Sequence, residues 1–222
     1  SQIELRMLAH MADEEQMIDA FNHDIDIHTK TAMQIFDVAH DEVDANMRRS
    51  AKTVNFGIVY GQSDFGLSEQ LGISRKEAHT FIEKYFASYP KIKTFMDATI
   101  AYCEEHGYVK TLYNRRRYIK EIADKNYMMR GFGKRAAMNA PIQGSAADLI
   151  KMAMIHIYQK MQEEKVKSRM ILQIHDELIF DVCEDEIDKM TQIVEEGMQN
   201  VMKLKVPLIA QANIGKSWYD AK

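Results

Sequence analysis

The sequence is poor in the residues that cross-link small domains or hold structural metals. Only two cysteines occur in 222 residues, Cys103 and Cys183, far apart and outside any Cys-x-x-Cys pattern. This usage disfavours a disulfide scaffold and a zinc module, and it favours a reducing compartment. We therefore expect a cytoplasmic protein.

Long apolar runs, low-complexity linkers and internal repeats are also lacking, and there are only three prolines. No uninterrupted apolar run approaches the roughly 20 residues that a membrane helix needs, so no membrane partner is expected. The opening Ser1–Arg6 has no basic region followed by an apolar stretch, which predicts no signal peptide. Hydrophobic residues make up 46% of the chain, which excludes disordered and fibrous classes.

The charge is small overall but unevenly distributed. The formal net charge is -4. Between Tyr108 and Arg135, nine Lys/Arg and two Asp/Glu give a net of +7, which leaves -11 for the rest. A basic stretch on an acidic body indicates a directed polyanion site, although a solvated basic loop would look the same.

Hydrophobic periodicity divides the chain into strand-like ends around a helical block. The alternation of Ile3 and Leu5 with polar neighbours predicts a first strand. Patterns from about Asp13 to Lys110 are mostly helical, including a helix capped by Asp44, running through Tyr60 and closed at Gly61. Tyr108 to Ile119 predicts a hairpin with Asn114 near its turn.

The second half returns to β-type patterns after one more helical region. The predicted elements are a helix over roughly Arg130–Lys165, interrupted or restarted at Pro141, strands over Met170–Ile174 and Leu178–Val182, a helix over about Asp185–Met202, and a last strand from Val206. Strands on both sides of a helical block predict an α+β fold, with an antiparallel sheet and a large helical insertion.

Two cations and two rings recur every four residues on one predicted helix. Arg48, Lys52, Phe56 and Tyr60 therefore share one helix face. This order suits a nucleoside triphosphate, with phosphates on the cations and base and sugar on the rings. An amphipathic helix with core rings and solvated cations is the alternative, which the interior Gly57 disfavours because glycine costs roughly 1 kcal/mol of helix stability.

A turn between the two late strands carries His175, Asp176 and Glu177. Acidic side chains at a rigid hairpin suit Mg²⁺, which prefers carboxylate oxygen. Turns are commonly polar, and two-metal phosphoryl transfer needs carboxylates from more than one element. A lone polar turn therefore remains the alternative.

The chain resembles the family-A DNA polymerases in three ordered motifs. Ser1–Arg6, Arg48–Gly61 and Gln173–Glu177 are similar to motifs A, B and C of that family, and Asn139–Gly144 and Ser217–Tyr219 extend the likeness to the end. The resemblance implies template-dependent transfer of deoxynucleotides from dNTPs to the primer end of primer–template DNA, with Mg²⁺ as cofactor, by a monomer. It also implies a palm sheet with helical fingers inserted, as palm at 1–13, fingers at 14–125 and palm again at 126–222, without the family's thumb and exonuclease domains.

The resemblance assigns nucleotide-binding roles to individual residues. Arg48 and Lys52 match cations that grip the triphosphate, and Lys52 also matches the acid that protonates the leaving pyrophosphate. Phe56 matches a ring beside the sugar and base, and Tyr60 matches a ring that stacks near the template. The remaining nucleotide-binding matches are His28 at the triphosphate, the main chain at Gln2, and Glu4, which excludes a 2′-hydroxyl.

The same resemblance assigns the metal and DNA contacts. Asp176 matches the palm carboxylate that binds both Mg²⁺ ions, with Glu177 supporting it and His175 near the primer end. Asn139 and Gln143, four residues apart, suit the degenerate minor-groove edge, although amides that bridge helices would look alike. The predicted phosphate contacts are Arg115, Arg116, Arg117 and Arg135.

Motif A of the family begins with Asp-Tyr before the Ser-Gln-Ile-Glu-Leu-Arg found here, so its metal-binding aspartate is not among these residues. We therefore expect the 222-residue chain alone not to extend primers. Two further hypotheses stay open: a non-catalytic nucleic-acid-binding fragment, and a metal-dependent nuclease or phosphatase that uses Asp176 and Glu177.

Overall fold

The computed structural model describes residues 2–221, so Ser1, which opens the motif A stretch, lies outside the described part. The described chain forms two compact units, Gln2–Ser145 and residues 146–221. Its elements are helical for the most part, with two antiparallel hairpins, which confirms the α+β class. Helices of the described part are too short or too polar to cross a bilayer. The palm and fingers boundaries stay a prediction.

The unit Gln2–Ser145 is mainly helical. Its helices are α1 Ile3–Ala12, α2 Glu15–Asn22, α3 Ile27–Phe36, α4 Ala45–Val59, α5 Asp64–Leu71, α6 Arg75–Ser88 and α7 Pro90–His106. The short hairpin β1 Tyr108–Lys110 and β2 Arg116–Tyr118 follows, with short 3₁₀ turns at His40–Glu42 and Lys120–Ala123. Helix α8, Tyr127–Glu163, continues into the second unit.

The hairpin and the start of α4 confirm two sequence predictions. Asn114 has φ 59° in the hairpin turn, where its left-handed conformation reverses the chain. The Asp44 carboxylate accepts hydrogen bonds from the backbone N–H groups of Asn46 and Met47 and so caps α4. Gly61, with φ 65°, lies two residues after Val59, the last residue of that helix.

The predicted first strand is wrong, because residues from Ile3 onward form helix α1. Leu5, Leu8, Ala9 and Ala12 are all buried, and their spacing is that of a helix face. The alternation that predicted a strand extends over only six residues, whereas the helical period holds over ten. The longer pattern decides the structure because it buries a continuous face.

The predicted interruption at Pro141 is also wrong, because α8 passes through it. A proline inside a helix removes one backbone donor and crowds the preceding turn. Ala137, Ala140 and Ile142 around it are buried, so packing compensates for that cost. The Ser145 hydroxyl donates to the Pro141 carbonyl at 2.6 Å, which satisfies an acceptor in the same region.

The second unit, residues 146–221, contains the end of α8, a hairpin and one further helix. Strands β3 Arg169–Ile174 and β4 Glu177–Asp181 are antiparallel, and α9 Ile187–Gln199 follows a 3₁₀ turn at Glu184–Glu186. Ala153, Ile157 and Met161 of α8 pack with Met190 and Ile193 of α9. The predicted hairpin and helix are therefore confirmed.

The predicted last strand from Val206 is wrong within the described residues, since no strand follows α9 there. Val206 is buried, but the segment after it, which has no regular secondary structure, bonds to side chains of α9. The Gln199 amide donates to the Ala210 carbonyl at 2.8 Å, and Glu195 accepts from the Ala212 N–H at 2.9 Å. These bonds take the place of a β ladder.

Two tyrosines in the first unit, whose rings meet edge to face, allow a test of stability. Tyr85 and Tyr89 are fully buried, but only the Tyr89 hydroxyl has a hydrogen-bond partner, Thr31 at 3.3 Å. We expect Tyr85→Phe to raise the free energy of unfolding by about 1 kcal/mol, because it removes a buried unpaired hydroxyl. Tyr89→Phe should lower it by about 1 kcal/mol, because a hydrogen bond is lost.

Urea denaturation of the two variants measures both effects with the same chemical change. A loss of stability in Tyr85→Phe equal to that in Tyr89→Phe would contradict the assignment.

Candidate nucleotide site

The helix face predicted from the sequence is exposed in the structure. Arg48, Lys52 and Tyr60 of this face are exposed and Phe56 is half-buried. The opposite face of α4, with Ala51, Val54, Asn55 and Ile58, is buried. The alternative of rings in the core therefore does not hold for Tyr60, whose exposed fraction is 44%.

Tyr60 connects this face to the first helix. Its hydroxyl donates to the Glu4 carboxylate at 2.8 Å. Burial, together with the hydrogen bond to the Glu4 carboxylate and its negative charge, raises the pKa of Tyr60 to about 12. The hydroxyl therefore stays a donor at every physiological pH. The structure brings Glu4 and Tyr60 into direct contact.

The rings continue this contact from Tyr60 toward α3. The centroids of Phe56 and Tyr60 lie 6.5 Å apart in nearly parallel planes, and those of His28 and Phe56 lie 6.0 Å apart. Helix α3 packs along α4 and so places His28 beside this face. Three predicted nucleotide-binding side chains therefore form one ring cluster.

His28 is a buried histidine held by an amide. Its Nδ1 lies 3.0 Å from the Asn55 Nδ2, and Asn55 in turn accepts from the Thr31 hydroxyl at 3.2 Å. Burial lowers the pKa of His28 to about 4, and the nearby Arg48 and Lys52 cations also lower it, while Asp26 opposes the shift. The imidazole is therefore neutral at pH 7.

The end of the face holding Arg48 is paired with a carboxylate. Arg48 Nε lies 2.5 Å from Asp26 Oδ2. Burial alone would raise the pKa of Asp26, but hydrogen bonds from Arg48, Thr29 and the His28 backbone lower it to about 2. Gln2, Asp26 and Arg48 line one shallow cleft, so the structure brings Gln2 and Arg48 together.

Sequence reasoning missed Asp26 and Asn55. Asp26 caps α3 by accepting from the His28 N–H at 3.0 Å, and an aspartate just before a helical run is a recognisable signal. Asn55 gives no such signal, because its position between Val54 and Phe56 reads as an ordinary helix residue. Its role follows only from the packing of α3 on α4.

The far end of α4 lies against α8. A Cβ built on Gly61 would come within 3.1 Å of Arg135 Cγ, so the exposed Arg135 lies beside the end of the ring face. One turn further, the Asn139 Oδ1 is buried and has no hydrogen-bond partner among the described residues. An unpaired amide oxygen disfavours the alternative in which Asn139 bridges two helices by hydrogen bonds. Gln143 is exposed.

The late hairpin places its polar residues in a tight turn. His175 has φ 52°, a left-handed conformation that a non-glycine residue adopts mainly in tight turns. The Gln173 amide donates to the His175 carbonyl at 3.1 Å and braces the turn. Asp176 is half-buried and Glu177 is exposed at the first position of β4.

The hard oxygen of Asp176 suits Mg²⁺, which proteins often bind through one or two carboxylates and substrate phosphates. Clusters of three or more His, Cys, Asp or Glu side chains placed to hold a metal do not occur among residues 2–221. Asp176 thus fits the ion as a single ligand, and the described residues do not complete the set.

The predicted arginines of the basic stretch lie on or near the first hairpin. Arg115, Arg116 and Arg117 are exposed, and they stand at the turn and along β2. Their exposure is compatible with phosphate contacts, which stay a prediction.

The pH dependence of stability tests the environment of His28. The folded pKa of about 4 lies below the unfolded value of 6.5, so the unfolded chain takes up the proton first. This contribution is complete above pH 6.5 and is lost as the pH falls toward 4. Asp26, with its pKa near 2, contributes only at lower pH.

We expect the free energy of unfolding to fall with decreasing pH by at most about 1.4 kcal/mol per pH unit, and by less where solvent screens the charge. Urea unfolding between pH 7 and 4.5, compared with His28→Gln, measures it. Identical slopes in both proteins would show that His28 is not responsible.

A family model and two relatives match this chain over nearly its whole length. A family model described as DNA polymerase family A matches residues 1–220. DNA polymerase I of Geobacillus stearothermophilus is 52% identical over 222 residues, and that of Bacillus subtilis (strain 168) is 53% identical. Each match covers 100% of this chain and 25% of the relative, so the chain spans about a quarter of these proteins.

A solved structure is also similar over the whole chain. It is the POL domain of Pol1 from M. smegmatis, described as a complex with DNA primer-template and dNTP. The TM-score is 0.95 at 41% identity, and the match covers 100% of this chain and 39% of that one.

Proposed function

The chain belongs to DNA polymerase family A, and we propose that it is part of an enzyme that adds deoxynucleotides from dNTPs to a primer end under template direction. The observation that carries this proposal is the exposed α4 face, with Arg48 and Lys52 preceding Phe56 and Tyr60. The likeness to a structure described with primer-template and dNTP supports it.

The two cations would hold the triphosphate. Lys52 is exposed and forms no ion pair with the described residues, so its ammonium is available to a phosphate. Arg48 is oriented by Asp26, and a phosphate would compete with that carboxylate. Lys52 would also donate a proton to the departing pyrophosphate. His28, neutral at pH 7, would donate a hydrogen bond to a phosphate oxygen.

Glu4 and Tyr60 would examine the sugar and the base pair. The Glu4 side chain would exclude a 2′-hydroxyl by occupying its space and leaving it unpaired. Tyr60 keeps that carboxylate in one position through its hydrogen bond. Gln2 would contribute main-chain groups at the triphosphate, and Phe56 would contact the sugar and base.

Asp176 would hold Mg²⁺, with Glu177 supporting the site, and a second carboxylate would come from another part of the polymerase. When bound, Mg²⁺ neutralises developing phosphate charge and orients the reacting oxygens. His175 would lie at the primer end. Since the described residues do not provide a complete ligand set, we propose that the 222-residue chain alone does not extend primers.

Primer–template DNA would contact the remaining site residues. Asn139 and Gln143 would read the minor-groove edges that every base pair shares. Arg115, Arg116, Arg117 and Arg135 would bind phosphates, which gives salt-dependent affinity without sequence preference. A polymerase needs both properties on any template.

The test joins this chain to the upstream polymerase portion of a family relative and measures templated primer extension. We expect incorporation only of the dNTP that pairs with the template. Lys52→Gln should lower the rate by about 10²-fold or more. Arg49→Gln, a neighbouring charge removed on another face of α4, is the matched control and should leave the rate unchanged.

DNA binding without extension by the joined protein would favour a non-catalytic nucleic-acid-binding role, which the basic stretch between Tyr108 and Arg135 also allows. Degradation of DNA without a template would favour the nuclease hypothesis instead.

A further inference from the structure

One face of the first hairpin collects rings and cations that the nucleotide site does not use. In the antiparallel register, Tyr108 pairs with Tyr118 and Lys110 pairs with Arg116. Because side chains alternate between the faces of a strand, these four residues share one face of the hairpin. Val109 points to the opposite face and is buried in a core cluster. We call the four residues, with Tyr102 and His106, the hairpin ring face.

Helix α7 supplies the two further rings. His106 stacks on Tyr102 with centroids 4.1 Å apart and planes 10° apart. Tyr102 meets Tyr108 edge to face at 5.8 Å, and their hydroxyls lie 3.3 Å apart. These contacts brace the hairpin against α7. The Tyr118 ring centroid lies 5.4 Å from that of Tyr108, but Tyr118 is 67% exposed. Most of its ring is therefore accessible to a ligand.

The cations on this face stand opposite each other. Lys110 and Arg116 are cross-strand partners, and like charges in that position repel. Neither forms an ion pair with an acidic residue in the described part of the chain. Their contacts are tyrosines instead: Lys110 Nζ is 5.8 Å from the Tyr108 centroid, Arg116 Cζ is 4.8 Å from it, and the Arg116 side chain is also hydrogen-bonded to Tyr118. An anion between the two cations would remove the repulsion.

The geometry points to a binding site for single-stranded DNA on the hairpin ring face, with a phosphate between Lys110 and Arg116 and an unpaired base on Tyr118. Exposed rings beside cations in this way bind single strands, because every base offers a flat face for stacking. Bases in a duplex are stacked on each other and cannot cover Tyr118. The choice of DNA over RNA rests on the proposed function.

The test measures binding of a fluorescein-labelled oligo-dT of roughly 10 nucleotides by anisotropy. Tyr118→Leu should weaken binding about tenfold, and Tyr118→Phe should keep it, because only the ring is needed. Lys110→Gln and Arg116→Gln should each reduce the slope of log affinity against log salt by about 0.7.

Matched controls remove the same groups elsewhere. Tyr219→Leu removes a tyrosine that is 88% exposed, and Lys76→Gln removes an exposed cation on α6. Both should bind the oligonucleotide like the unsubstituted chain. Thermal unfolding of Tyr118→Leu should be unchanged, which excludes a folding defect.

The inference is overturned if Tyr118→Leu binds no more weakly than Tyr219→Leu. It is also overturned if Tyr118→Leu weakens the binding of duplex DNA of the same length as much as that of the single strand, or if an RNA strand binds more tightly than DNA.

Primer extension by the joined protein separates this result from the proposed function. On a template that ends just beyond the insertion position, Tyr118→Leu should extend at the unsubstituted rate. If the joined protein does not extend primers but Tyr118→Leu still weakens the binding of oligo-dT, the proposed function is contradicted and the inference about the hairpin ring face is not.

Discussion

Asp176→Ala is expected to abolish templated primer extension by a polymerase that contains this chain. The proposed site gives Asp176 the metal contacts in the palm, and a metal ion supplies several kcal/mol of transition-state stabilisation. A loss of that size lowers the rate by about 10³-fold or more. Within residues 2–221 the carboxylate has no hydrogen-bond or ion-pair partner, so its removal should leave folding intact.

The same hairpin offers matched controls for this prediction. Asp181 pairs with Arg169 at 3.2 Å on the far end of the hairpin, and Asp181→Asn should leave extension unchanged. Glu177→Ala should reduce the rate less than Asp176→Ala, because Glu177 is proposed only to support the site. Single-turnover extension rates compare the three variants, and extension that survives Asp176→Ala would refute the metal role.

Gly133→Val is expected to destabilise the chain by about 3 kcal/mol, the upper range for overpacking a core. A Cβ on Gly133 of α8 would lie 2.6 Å from the Ile122 nitrogen and 2.7 Å from the Glu121 carbonyl carbon. These neighbours are backbone atoms, which cannot rotate away as a side chain can. The turn that carries Ile122 would therefore have to move.

Gly131 provides the control, since it lies two residues away on the same helix. A Cβ there would meet only the Arg135 Nη1, at 3.7 Å. Gly131→Ala should stabilise the chain by up to about 1 kcal/mol, because alanine favours the helix. Urea denaturation measures the change in the free energy of unfolding for both variants. Equal changes in Gly133→Val and Gly131→Ala would contradict the close approach at Gly133.

Local signals in the sequence were enough for the elements that depend on neighbouring residues. Asp44 caps α4 and Asn114 turns the hairpin because each acts on backbone groups within a few residues. The four-residue spacing from Arg48 to Tyr60 also placed these side chains on one face correctly. Such features need no information from distant parts of the chain.

Patterns failed where distant contacts decide the structure. Helix α1 forms because its apolar face packs against α2, α4 and α7, which a six-residue alternation cannot show. The segment after α9 contains the buried Val206, but its partners are the side chains of Glu195 and Gln199 instead of a strand. A strand pattern does not identify its partner.

The pairing of side chains in the candidate site was not predictable from the sequence. The resemblance named His28, Arg48 and Tyr60, but Asp26, Asn55 and the bond between Tyr60 and Glu4 follow from three helices meeting. Pairings of this kind join residues 22 to 56 positions apart. Single-sequence periodicity does not extend over such separations.

The bond between Tyr60 and Glu4 also sets a limit on ligand affinity. A hydrogen bond to a charged acceptor stabilises by about 1.5–3 kcal/mol, so the ring is detached in roughly one molecule in ten to one in 150. A nucleotide that binds only the detached form has its apparent dissociation constant raised by that same factor. Tyr60→Phe removes the 2.8 Å hydrogen bond and keeps the ring. It should therefore lower the apparent dissociation constant of such a nucleotide by the same factor.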